Sequence, residues 1–168
     1  MAGFGLQAHR LVAILICCLT ATSASAQLKL TVPPREVQVM LIRNCLASVN
    51  HASITGNFTV LRDLGSEKFK RKYKASDLSL AFRSLREQNI DLSPVLVQYP
   101  KLTQDPVLSE DGRLRLIGQC ATQPLAVRFD LAFQHGPRGW GIDDIGVAMG
   151  SAPPELAPAS FEELKKQE

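Results

Sequence analysis

Leu125-Ala-Val-Arg-Phe-Asp-Leu-Ala-Phe-Gln134 decides the fold of this 168-residue chain. Leu125, Val127, Phe129, Leu131 and Phe133 alternate with Ala126, Arg128, Asp130, Ala132 and Gln134. A period of two sends the first set to one side of an extended chain and the second to the other, which is the pattern of a half-buried antiparallel strand. Working backward, Glu110-Asp111-Gly112 is a turn signal, and Arg113 to about Ala121 divides in the same way. Leu114, Leu116, Gly118 and Cys120 share one face, and Arg113, Arg115, Ile117 and Gln119 share the other. Working forward, Gly136-Pro137-Arg138-Gly139 turns the chain into a last strand bearing Trp140, Ile142, Ile145 and Val147. A fourth strand is predicted before these three, where Val95, Val97 and Tyr99 alternate with Leu96, Gln98 and Pro100.

The pattern changes upstream of Pro94. Pro33-Pro34 suits a helix start, and no Pro or Gly interrupts Glu36 to about Ser53. Leu41, Cys45, Val49 and Ala52 form an apolar stripe there, joined by Ile42 and Leu46. Gly56 closes this helix, Asn57 caps a short one holding Val60, Leu61 and Leu64, and Gly65-Ser66 restarts the chain. In the next piece Phe69 and Tyr73, one helical turn apart, read as core anchors within the basic run Lys68 to Lys74. Ser76 is predicted to cap a further amphipathic helix with Leu78, Phe82 and Leu85 on one face, ending near Gln88-Asn89. The expectation is an α+β domain, three N-terminal helices packed on a curved antiparallel four-stranded sheet.

In element order, and in the stretches Gly112-Arg-Leu-Arg-Leu-Ile-Gly118, Leu125 to Phe133 and Gly139-Trp-Gly-Ile-Asp-Asp-Ile145, residues 36 to 149 resemble the nuclear transport factor 2-like superfamily, the cystatin-like cone fold. The resemblance is to a fold and carries no catalytic motif. It implies a conical pocket between helices and sheet, with Leu116, Val127, Phe129, Leu131 and Trp140 as its lining, and an outer sheet face on which a homodimer can form. Such domains serve as isomerases, dehydratases and cyclases and also as non-catalytic binding modules, so the fold alone selects no function.

Both ends of the chain read as something other than fold. Arg10, the apolar run Leu11 to Leu19 and the small residues Ala24-Ser25-Ala26 have the layout of a cleaved signal peptide, residues 1 to 26. That run is about half the ~20 residues that span a hydrocarbon core, so the expected product is periplasmic or secreted, with no stable membrane anchor after cleavage. Residues 27 to 150 form the expected domain. Residues 151 to 168, with Pro153, Pro154 and Pro158, are expected to be a mobile Pro/Ala-rich tail. Only Arg10 among Asp, Glu, Lys and Arg precedes the cut, so the formal charge falls from +3 to +2, too weak to imply a nucleic-acid partner.

Cleavage also removes Cys17 and Cys18, leaving Cys45 and Cys120, both on core-facing positions. In an oxidising compartment they are a disulfide candidate, worth about 4 kcal/mol in the chain-entropy account; the alternative is two separate buried thiols. No Cys/His spacing suits a metal, and no cofactor signature is found. Proton-transfer chemistry needs an acid or base enclosed in an apolar pocket, and the candidates are His51, Tyr99, Asp130, Asp143 and Asp144, with Asp130 predicted to face away from it. The pocket side of the 125–134 strand is wholly apolar. The expected function is therefore non-catalytic: an exported binding or accessory domain for a small apolar or amphipathic ligand or a partner protein. The alternative is a small cofactor-free isomerase, dehydratase or cyclase using His51, Tyr99, Asp143 or Asp144.

Overall fold

The computed structural model describes residues 30–150; the expected signal peptide and the tail lie outside the described residues. Thr31 to Gly150 lie in one compact unit. The architecture is α+β, with five helices and a 3-10 turn preceding an antiparallel sheet of five strands. Helix α1 spans Arg35–Thr55, α2 Thr59–Asp63, α3 Glu67–Lys72, α4 Ala75–Ala81 and α5 Arg83–Glu87. The strands are β1 Lys101–Leu102, β2 Val107–Leu108, β3 Arg113–Cys120, β4 Ala126–Gly136 and β5 Gly139–Gly150.

Helix α1 is the long element the apolar stripe predicts: Leu41, Ile42, Cys45, Leu46, Val49 and Ala52 are all buried. It ends at Gly56, whose φ of 71° is the left-handed conformation a glycine adopts without a Cβ penalty. Ser66, which restarts the chain, is the N-cap of α3, its Oγ accepting from the Phe69 N–H at 3.0 Å. Ser76 is not a cap. The next helix begins at Ala75, because the Asp77 carboxylate accepts from the Lys74 N–H at 2.9 Å and draws the start back two residues. The helix predicted to run on to Gln88 breaks into α4 and α5 at Phe82, whose φ of −100° and ψ of 19° leave the helical range. Phe82 nevertheless stays buried, its ring 6.1 Å from that of Phe58.

The strand predicted at Val95–Tyr99 is a 3-10 turn, Ser93–Leu96, followed by irregular chain. Its alternation has no partner strand: Val95 is fully buried while Val97 is 81% and Tyr99 55% exposed. Asn50 anchors this segment to α1. Its Oδ1 accepts from the Leu92 N–H at 2.8 Å, and its Nδ2 donates to Asp91 and to Ser93.

In the sheet, β3 pairs with β4 and β4 with β5, while the two-residue strands β1 and β2 both pair along the other edge of β3. The count is five strands rather than four, since those two short strands follow the 95–99 segment. Cys120 faces Val127, Leu116 faces Leu131 and Leu114 faces Phe133, so the predicted inward rows of β3 and β4 register as one apolar face. Only Leu125, 41% exposed and just ahead of β4, falls outside it. Burying each of these large side chains contributes about 2 kcal/mol. Gly118 is needed where β1 crosses, because a Cβ there would lie 2.3 Å from the Lys101 carbonyl oxygen and 2.8 Å from Cζ of Phe129.

The register slips once. Ala132 faces Asp144 but Phe133 faces Ile142, so Asp143 is the additional residue of a β-bulge. The Leu64–Ser66 turn closes over the same place: Ile142 donates to the Leu64 carbonyl at 3.2 Å and accepts from the Ser66 N–H at 2.7 Å.

Candidate functional site

The residues expected to line a conical pocket are core. Leu116, Val127 and Leu131 are fully buried, and Phe129 is 3% exposed. Of the five, Trp140 lies outside this packed layer. It is half-buried, edge-on to the His135 ring at 5.0 Å, in a cleft of about 600 Å³ between the Asp63–Arg71 segment and the β4–β5 hairpin. The charges of that cleft are mixed and partly self-paired: Glu67 meets Lys70 at 2.5 Å and Arg138 at 3.8 Å, alongside Lys68, Arg71, Asp63 and Asp111.

The candidate acid–base residues do not converge. His51 is exposed on the last turns of α1, beside a shallow cavity whose other lining residues, Ser48, Ala52, Thr55, Asn57, Val60 and Leu61, include no ionisable group. Tyr99 is exposed, with the Arg35 guanidinium 5.1 Å from its ring centre. Asp130 points to the outer sheet face, as its register predicts, and is held in two hydrogen bonds by Arg115 at 2.9 and 2.5 Å. That guanidinium, chiefly through its hydrogen bond, holds the Asp130 carboxyl below the usual carboxylate range.

Asp143 is the buried carboxylate, its side chain 2% accessible. One oxygen accepts from the Ser66 hydroxyl at 2.8 Å and the other from Nε of Arg113 at 2.8 Å. Both oxygens are thus committed to the fold, and the group joins the α3 N-cap to β3 across the bulge. Asp144, half exposed, lies 3.6 Å from the other side of the same guanidinium and accepts from the Ile145 N–H at 3.0 Å. Arranged in this way the two carboxylates form a clamp rather than an acid–base pair.

Cys45 and Cys120 are both buried in the core and both free, so the structure holds no bond between them. Burial pushes the Cys45 thiol up to about 12 and the Cys120 thiol up to about 11, the latter against the opposing pull of Arg43. Neither carries the thiolate that nucleophilic chemistry requires.

The groove that offers room for a ligand lies elsewhere, between the first two turns of α1 and the 100–106 segment that carries β1. It encloses about 690 Å³, within the range of small-molecule sites. Val39, Ile42, Pro100, Leu102 and Pro106 supply an apolar wall. Arg35 and Lys101 bring two cations that form no ion pair among the described residues, and Asp105 adds one acid. Gln38 is 8% exposed; its amide nitrogen donates to the Pro33 carbonyl at 2.8 Å, and no described group donates to its Oε1. The α1 N-terminus has no side-chain cap, because Pro34 stands at the N-cap position. The sequence patterns do not point to this groove: the apolar stripe of α1 starts at Leu41, and of residues 100–106 only Pro100 carries an expectation, that of a strand end or an edge strand. The signal lies instead in Arg35, Gln38 and Val39, which recur at helical spacing on the side of α1 next to Ile42.

Among the described residues no cluster of three His, Cys, Asp or Glu side chains could hold a metal ion, and no helix is long and apolar enough to cross a membrane. No protein-family model, curated protein or solved structure gives a significant match to the chain.

Proposed function

We propose that this is an exported, non-catalytic binding domain of nuclear transport factor 2-like architecture, and that its ligand is a small amphipathic anion held between α1 and β1. The observation that carries the reading is the composition of the groove: an aliphatic wall from Val39, Ile42 and Leu102, together with Arg35 and Lys101, two cations that form no ion pair among the described residues. Apolar area draws the hydrophobic part of a ligand out of water, and the cations select its charged end. The isomerase-type alternative is disfavoured by the same geometry. His51 and Tyr99 face water on separate parts of the molecule, and Asp143 and Asp144 are engaged with Arg113.

Titration with 1-anilinonaphthalene-8-sulfonate, an aromatic ring system bearing one anionic group, tests this reading. The expected result is saturable binding at one site per chain. It weakens about tenfold or more, equivalent to ~1.4 kcal/mol, in the charge reversal Arg35→Glu with Lys101→Glu. The melting temperature of that variant stays within a few degrees of the parent. Binding that does not saturate, or that ignores the reversal, overturns the proposal.

A further inference from the structure

Strand β5 is an outer strand of the sheet, and its two halves are treated differently. Up to the bulge its free side is closed by the Leu64–Ser66 turn, which takes both backbone groups of Ile142. Beyond the bulge the Ile145 N–H also points away from β4 and is taken by the carboxylate of Asp144. The alternation of an antiparallel ladder then places the N–H and C=O of Val147 and Met149 on the open side, and no described residue bonds to them there. The segment Ile145-Gly-Val-Ala-Met-Gly150 has no charge and no proline, the devices that ordinarily guard an outer strand.

We propose that this half-strand pairs with the same half-strand of a second copy, antiparallel about a two-fold axis at Val147, joining two sheets into one. That register sets Val147 opposite Val147, Ile145 opposite Met149, and Asp144 opposite Gly150. Its charges are complementary. Arg128 forms no ion pair among the described residues and leans across β5, so close that a Cβ on Gly150 would lie 2.8 Å from its Cζ. The second copy's Asp144 arrives beside that guanidinium, one strand spacing of about 4.8 Å away, and the symmetry makes the contact twice. Asp144 then exchanges the Ile145 N–H and its 3.6 Å contact with Arg113 for Arg128, freeing that N–H for the Met149 carbonyl of the second copy. The outer-face side chains of this half-strand, Gly146, Ala148 and Gly150, are too small to obstruct the approach. The core-facing ones, Ile145, Val147 and Met149, are partly buried and extend the apolar row across the joint.

Sedimentation equilibrium on the purified protein at tens of micromolar decides it. A dimer is expected. Val147→Pro should be monomeric with an unchanged far-ultraviolet spectrum, because a proline whose missing N–H faces outward removes no bond within the sheet; Val147→Ala should remain dimeric. Arg128→Glu, on an exposed side chain, should raise the dissociation constant about tenfold or more. A protein that is monomeric throughout, or a folded Val147→Pro that remains a dimer and so pairs through another surface such as the outer sheet face, overturns the proposal. If Val147→Pro does not fold, an Arg128→Glu dimer as tight as the parent overturns it equally.

Discussion

Two carboxylate–guanidinium contacts lie on the same sheet, and distance hardly separates them. Asp143 meets Arg113 at 2.8 Å, and Asp130 meets Arg115 at 2.9 and 2.5 Å. Accessibility separates them: the Asp143 side chain is 2% exposed and that of Asp130 is 45% exposed. The bulge turns Asp143 toward the Ser66 turn, so its carboxylate is enclosed and has no water to return to, whereas Asp130 exchanges one set of solvated partners for another. Enclosure, more than bond length, sets what such a contact contributes.

The sharpest way to break the comparison is Asp143→Ala. It removes the partner of the Ser66 hydroxyl and of Nε on the partly buried Arg113, and should cost about 3 kcal/mol in urea unfolding. Asp143→Asn, which keeps one hydrogen bond and loses the charge, should fall between this variant and the parent. The uncharged clasp at Asn50 ranks next: Asn50→Ala leaves the Leu92 N–H without its acceptor and should cost about 2 kcal/mol by the same measurement. Arg115→Ala should cost less than about 1 kcal/mol, most of it removed by salt. Equal losses for Asp143→Ala and Arg115→Ala would end the distinction.

Acid titration sharpens it further. Because the folded-state value of Asp130 is depressed, its contribution is fully present above the unfolded value of about 3.9 and disappears as the pH falls through the lower folded value. Asp130→Asn begins without that small contribution and should show a slightly shallower loss of stability below about pH 4, followed by circular dichroism. The smallest effect concerns the thiols. Cys45 and Cys120 should resist a maleimide in the folded protein, and both should react on unfolding without reductant, as intact mass would report.

The elements legible in the sequence were those whose pattern had a partner. The alternation of β4 and the stripe of α1 are legible because each carries a continuous buried face, and both faces contribute to one hydrophobic core. Val95, Val97 and Tyr99 alternate just as cleanly and form no strand, since no described strand lies alongside to pair with them; periodicity records which side a residue would face and says nothing of whether a partner strand exists. The bulge left a trace that passed unread: inward residues two apart along a strand become three apart between Ile142 and Ile145, the mark of one inserted residue. Asn50 is a polar side chain next to the apolar stripe of α1, and the sequence pattern around it gives no sign of its partners. Its role depends on Asp91, Leu92 and Ser93, distant in sequence, and only the folded chain brings them together.

Gly118 has a consequence for how this protein can diverge. The nearest atoms to the space a side chain would need there are the backbone of β1 and the ring of Phe129. Residues lining the groove can drift one at a time, exchanging one aliphatic or charged group for another without moving the backbone. Position 118 has no such gradual route, because its smallest change, a single methyl group, must displace the strand that forms one wall of the groove. Substitution can therefore reshape the groove around a fixed frame, and the glycine is the point at which that frame is inherited whole.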